Sequence, residues 1–357
     1  MTRGGAVSLK DGRGKSGVSQ RSRSNDALHA STFSMTQTVA SGQASVNSAQ
    51  RGGRLGREAS PLRRGIGAWL FLAPAVAFFV GYQVYPIFRV LWISFTDYKF
   101  LVNQPTHWVG FDNYIDALHD PLLWASLWRA LEFTIMFLPG TIVLPLLLAI
   151  LIDRVTNPRL ATFYRVVLLI PAVIPSTLVF VLWKWMYNYQ SGPINHLLVD
   201  TLGLFSLQNA PQWLGGTSLT LPSIAIMENW WGLGYHTIFF LAGLAAIPRE
   251  LPEAARVDGA NEWQVFWYVT RPRLAPIMMI LVVLRFGSAM AVIDEYLIFG
   301  GFNRASPTYT WTVFMYDQAF KLGLWRHGFA AAIGMIGAIA MMFVMVFLIW
   351  IFRPKGG

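Results

Sequence analysis

The sequence predicts an all-α membrane protein with six transmembrane helices, and three observations carry that prediction. The chain is 54% hydrophobic and only 13% charged, where a soluble domain is about a quarter charged. Six charge-poor apolar stretches each approach the roughly twenty residues that a helix needs to cross a bilayer. The Lys and Arg residues between these stretches gather on alternate connections. The stretches are too long for strands, and a helix satisfies its own backbone hydrogen bonds in lipid.

Residues 1–64 hold eleven Lys and Arg against Asp11, Asp26 and Glu58, with Phe33 as the one aromatic residue. Such a segment cannot bury enough apolar surface to offset its ordering entropy, so a disordered basic tail is expected. Eleven cations less three acids puts +8 of the net +10 in this tail, which excludes nucleic acid as a partner of the folded part. One membrane domain is expected from 65 to 353, with helices near 66–92, 128–152, 162–186, 219–246, 273–297 and 327–352. Proline falls inside them at Pro74, Pro86, Pro139, Pro145, Pro171 and Pro175, each a place where the chain can kink. The last helix carries Ala330, Gly334 and Ala338 at four-residue spacing, a stripe that admits close approach of another helix.

With the amino terminus inside, the inner side collects the tail, Arg154, Arg159, Arg165, Arg249, Arg256, Arg271, Arg273, Arg353 and Lys355, twenty cations in all. The outer side collects five: Lys99, Lys184, Arg304, Lys321 and Arg326. The positive-inside rule therefore predicts that both termini are cytoplasmic. Cysteine is absent, which excludes disulfides and thiolate metal sites.

Between the fourth and fifth helices lies a polar and aromatic island, Pro248 to Pro276, on the side predicted to be cytoplasmic. Pro252 and Glu253 suit the first turn of a short helix, where proline is tolerated and an acid meets the positive end of the dipole. Gly259 ends that helix, because it adopts positive φ without penalty. Asn261 is a cap for a second helix from Glu262 to about Thr270, and Pro272 is expected to redirect the chain into the membrane. Trp263, Phe266, Trp267 and Tyr268 cluster on that second helix. Their exposure to water is unfavourable, so either a protein partner or lipid headgroups cover them.

The run EAARVDG, Glu253 to Gly259, resembles the EAA motif of permease subunits from bacterial ATP-binding-cassette importers. YPIFRVLWISFTDY, VGFDNYIDAL, RVVLLIPAVIPS and AGLAAIPRELPEAARVDGAN resemble further blocks of the carbohydrate branch, in the same order, over about residues 66–352. The resemblance implies a type I importer permease in the bacterial inner membrane, with a cytoplasmic coupling loop at 248–272 that docks on an ATPase. Carried over by position, Glu253, Ala254, Ala255, Asp258 and Gly259 form the docking motif. The implied partners are a second homologous permease, two ATPase subunits, an extracytoplasmic solute-binding protein and membrane lipid. No cofactor is expected on this chain; ATP and Mg belong to the ATPase. Two departures stand out: the usual Ile-x-Leu-Pro ending reads Val269, Thr270, Arg271, Pro272, and Pro252 stands where an aromatic residue is common.

Charged groups within spans are costly and face a cavity or a partner, which singles out Glu228 and Arg285 as path residues; the competing account puts Glu228 near the outer interface and Arg285 in a structural hydrogen-bond network. Sugars stack on aromatic faces beside hydrogen-bonding groups. Trp183, Tyr187 and Asn188, and then Asn229, Trp231, Tyr235 and His236, fit that chemistry; interfacial belts and core packing are the competing account of the aromatics. Asp294, just past the fifth helix, matches an acidic position of the family. The rival function is an intramembrane transferase or hydrolase using Asp294 and Glu295 as an acid–base pair. No phosphate loop or nucleophile elbow accompanies them. A secondary transporter is a third reading, which six helices without an internal repeat fit poorly.

Overall fold

Backbone polar groups in so apolar a chain have to be satisfied locally, and among the described residues every regular element is helical. The one strand-like feature there is an isolated antiparallel bridge between Thr96 and Trp108. The computed structural model describes residues 61–100, 105–321, 323 and 325–352. Most of the basic tail expected at 1–64 lies outside them. Two units are distinguished, Met1–Val80 and Gly81–Gly357. The first contributes α1 (Pro61–Phe79), which keeps Pro74 in its interior.

The second unit begins with α2 (Tyr85–Ile93) and a short helix α3 (Asp112–His119). The long helix α4 (Pro121–Asp153) starts before the predicted residue 128, because capping rather than hydropathy sets its end. The Asp120 carboxylate accepts from the Leu122 N–H at 2.8 Å, and Pro121 occupies the first turn. Pro139 and Pro145 lie within α4 without breaking it.

The third predicted helix, 162–186, is instead two helices, α5 (Pro158–Val173) and α6 (Ser176–Met186), which meet at 90°. The break falls at Ile174 and Pro175, both extended, with ψ of 131° and 136°. The proline ring disfavours the helical conformation for the residue before it. Beyond a turn-rich segment, α7 (Thr220–Ala245) bends by 70° into α8 (Glu250–Val257). A further helix, α9, runs from Glu262 to Met290. Pro272 therefore does not redirect the chain as expected. A wide turn over Phe266–Thr270 includes the carbonyl of Tyr268, with which the proline ring would otherwise clash. The predicted fifth helix also stops short of 297: α9 ends at Met290, and α10 (Asp294–Gly300) is separate. The chain closes with α11 (Trp311–Phe320) and α12 (His327–Phe352).

Among the described residues, four helical stretches are long and apolar enough to cross a membrane, and counting each bent pair as one crossing brings the number to six. Two apolar cores hold the second unit, and α4 and α7 contribute to both. One contains Phe133, Phe137, Phe180, Met227, Phe286 and Tyr296; the other contains Ile142, Ala149, Phe240, Leu274 and Leu281. On α12, Ala330 is buried and Gly334 lies against Met315, whereas Ala338 is exposed. α5 and α7 meet most intimately at Gly234, where an added Cβ would overlap the Leu168 carbonyl. Large apolar side chains such as Val173 and Phe343 face outward, as a bilayer requires.

Candidate functional site

The loop between α7 and α9 is shaped by backbone chemistry. At the end of α8, Gly259 N–H donates to Arg256 O at 3.1 Å and Ala260 N–H to Ala255 O at 2.9 Å. This closure puts Gly259 at φ +89°, and nothing lies within 4 Å of where its Cβ would be. The elbow needs glycine for its conformation, not for space. Asn261 then caps α9 reciprocally: its side chain accepts from Gln264 N–H at 2.9 Å, and Gln264 Oε1 accepts from Asn261 N–H at 2.8 Å.

Glu253, Ala254, Asp258 and Gly259 are exposed on this loop and Ala255 is half-buried. Val257 beside them is 87% exposed, an apolar side chain at the tip of a polar loop. The Glu262 carboxylate is shared by Arg154 at 2.6 Å and Arg256 at 2.8 Å, which ties the loop to the end of α4. Arg271 lies 4.7 Å above the ring of Trp267, which packs edge-on against Trp263. Arg271 is thus occupied within its own helix.

The predicted path residues divide into three groups. Glu228 and Arg285 converge: Arg285 Nη2 stands 3.5 Å from Glu228 Oε2, and the guanidinium lies 4.9 Å over the Phe137 ring. Glu295 also interacts with Glu228, so it faces that cluster. Other candidates are engaged in holding helices. The Asn229 amide donates to Phe137 O and Ala225 O and accepts from Thr141 Oγ1, bridging α4 and α7. The Trp231 indole donates at 3.2 Å to Ile174 O, a carbonyl at the break between α5 and α6. Tyr187 donates to Ser223 O at 2.9 Å, and Trp183 packs against Tyr187 and Trp230. The remainder lie at the surface. Asn188 closes a turn by accepting from Gln190 N–H and Ser191 N–H; Tyr235 is 55% exposed against Phe239; Asp294 is exposed at the start of α10.

Sequence reasoning missed Tyr296, whose side chain is fully buried with no partner for its hydroxyl among the described residues. Trp183 Nε1, Glu228 Oε1, His236 Nδ1 and Arg285 Nε are also buried and unpartnered there. These buried atoms lie on α6, α7, α9 and α10, and water or solute groups would satisfy them. A tyrosine that directly follows two acids carries no sequence signal of this kind. An apolar groove of about 460 Å³ opens between α4 and α7, lined by Met136, Gly140, Leu144, Pro222 and Trp230 beside Asn229.

Residues 141–355 match the family model described as binding-protein-dependent transport system inner membrane component. The chain belongs to that family. This permease is 31% identical over 289 residues to the inner membrane ABC transporter permease protein YcjO of Escherichia coli, covering 81% of this chain and 93% of that one. It is 29% identical to the sulfoquinovosyl glycerol transport system permease protein SmoG of Agrobacterium fabrum, covering 81% and 91% of the two chains. A solved bacterial ABC transporter for import of the polysaccharide alginate shares the fold, with a TM-score of 0.70 at 22% identity over 83% of this chain and 98% of that one. The permease is a multi-pass inner-membrane transport subunit and not itself an enzyme. A transferase or hydrolase built on Asp294 and Glu295 finds no support, and Glu295 is turned to Glu228.

Proposed function

We propose that the permease forms half of the path by which a carbohydrate, or a related polyol or sugar phosphate, is imported at the expense of ATP. A second homologous permease supplies the other half. Two ATPase subunits bind ATP and Mg, an extracytoplasmic solute-binding protein delivers the solute, and both termini and the 248–272 loop face the cytoplasm. The exposed elbow at Glu253–Gly259 carries this reading. It presents small side chains, a carboxylate and the bare Val257 around a backbone bend that only glycine adopts freely. A separate ATPase that clasps the elbow acts on α7 and α9 together, since the elbow joins them. The carbohydrate class rests on relatives such as SmoG, AraP and MalF, named for transport of sulfoquinovosyl glycerol, arabinooligosaccharides, and trehalose and maltose.

Within the path, Glu228 and Arg285 are the polar centre, whereas Tyr187, Asn229 and Trp231 hold helices together and Asn188, Tyr235 and Asp294 lie at the surface. The unpartnered buried atoms of Glu228, Arg285, Trp183 and His236 are groups that a polyhydroxylated solute satisfies as it passes. In vesicles reconstituted with all subunits, Gly259→Asp is expected to abolish ATP-coupled uptake and reduce copurification of the ATPase while the chain still inserts. Normal assembly and uptake by that variant would sink the docking role. Uptake of a labelled panel of sugars and polyols by the unaltered importer identifies the solute.

A further inference from the structure

Helix α4 ends at Arg154 against the coupling loop, and its 33 residues put its first turn about 50 Å away. A concavity of about 610 Å³ opens at that far end. Leu122, Ala125, Phe314 and Phe329 make an apolar floor, and Arg304 and Arg326 stand at the rim. These two arginines are held in place. Asp317 is completely buried; it accepts from the Tyr309 hydroxyl at 2.5 Å, with Arg304 Nη2 at 3.6 Å and Lys321 Nζ at 3.4 Å. Arg129 donates to the backbone carbonyls of Arg304 and Tyr309, which anchors the segment. The Arg326 guanidinium lies 4.0 Å over the Phe329 ring and 3.8 Å from Asp116, and the backbone N–H of Arg326 donates to Gln318 O.

Building on the importer reading, we propose that this concavity receives an acidic projection of the solute-binding protein, with Arg304 and Arg326 as its anchors and Asp317 as the residue that positions Arg304. Four observations support it. The side chains of Arg304 and Arg326 are 54% and 44% exposed, so each retains donors for a partner. Ordering a long arginine is an entropic cost of association, which the Asp317 carboxylate beside Arg304 and the Phe329 ring under Arg326 lessen. The lining of the concavity is cationic, with Arg304 and Arg326 against Asp120. An apolar centre with arginines around it is the anatomy of a protein interface, whereas an intramolecular salt-bridge network has no use for a concave floor. The position also suits the partner, because a binding protein acts from the face opposite the ATPase.

The test uses the complete importer in nanodiscs, with ATP hydrolysis measured against concentration of its solute-binding protein. Arg304→Glu with Arg326→Glu is expected to raise the half-saturating concentration at least tenfold, leave the maximal rate intact and flatten the dependence on ionic strength. Arg304→Lys with Arg326→Lys stays within threefold. If the double reversal does not assemble, Arg326→Gln alone carries the same test, with an expected shift of about threefold. An unchanged half-saturation overturns the proposal. So does a shift that disappears when phosphatidylglycerol is replaced by phosphatidylcholine, which would assign the concavity to a lipid headgroup. If the unaltered importer is not stimulated by its binding protein at all, the importer reading fails instead.

Discussion

Arg285 reaches across from α9 to place Nη2 3.5 Å from the Glu228 carboxylate on α7, joining the two helices that run directly into the coupling loop. Glu228 is almost wholly buried and the Arg285 side chain is a quarter exposed, so the charges depend on each other unequally. Removing the cation strands a buried carboxylate, a change that costs about 3–5 kcal/mol in fully buried pairs. Arg285→Met is therefore expected to lower thermal stability in detergent by an amount near the lower end of that range. Combining it with Glu228→Gln should restore most of the loss. A double variant as unstable as the sum of the singles would show that the two groups do not interact.

Trp231 serves the broken third crossing rather than a ligand. Its indole N–H satisfies Ile174 O at the break between α5 and α6. Trp231→Phe keeps the ring and removes the donor, which is expected to destabilise the bundle by about 1–3 kcal/mol. Hydrogen exchange at 171–178 would rise with little change elsewhere. Unaltered exchange there would return Trp231 to the list of solute contacts.

Arg271 stands where the family carries an apolar residue, yet its guanidinium is stacked on Trp267. Arg271→Leu is expected to leave copurification of the ATPase within twofold of normal. A larger loss would mean that the arginine reaches the ATPase directly.

Gly234 tests the close contact with α5. A methyl group at this position meets the Leu168 carbonyl, a backbone atom with no rotamer to yield. Gly234→Ala should cost about 1–3 kcal/mol and impair uptake, whereas Gly259→Ala, with open space around it, should cost only about 1 kcal/mol of backbone strain. Melting temperatures of the two purified variants rank these costs. The reverse order would contradict the packing at Gly234.

Local chemistry made the coupling loop readable in advance. Gly259 and Asn261 act through their own backbone and nearest neighbours, so a single sequence contains the whole argument. The apolar stretches were readable for the same reason, since apolar length is a local property, and they amount to six crossings when each bent pair counts as one. The start of α4 was not, because Asp120 caps a helix whose first turns are not conspicuously apolar. Six prolines looked alike in sequence, but α5 stops just before Pro175 whereas α4 runs through Pro139 and Pro145, and at that break Trp231 satisfies the Ile174 carbonyl from another helix. The polar interior around Glu228 was half legible. Glu228 and Arg285 stand out as charges in apolar runs, whereas Tyr296 and the turn of Glu295 toward Glu228 arise only when four helices converge.

The contact of Gly234 with the Leu168 backbone has a mechanical consequence. Two helices that touch through main-chain atoms have no layer of side chains to compress, so they cannot draw closer, but they can swivel about the point of contact. Gly234 lies eleven residues from the α7 end at Ala245 and six from Glu228, about 16 Å and 9 Å along the axis. A rigid α7 pivoting at Gly234 would carry Glu228 opposite to Ala245 and by roughly half as much.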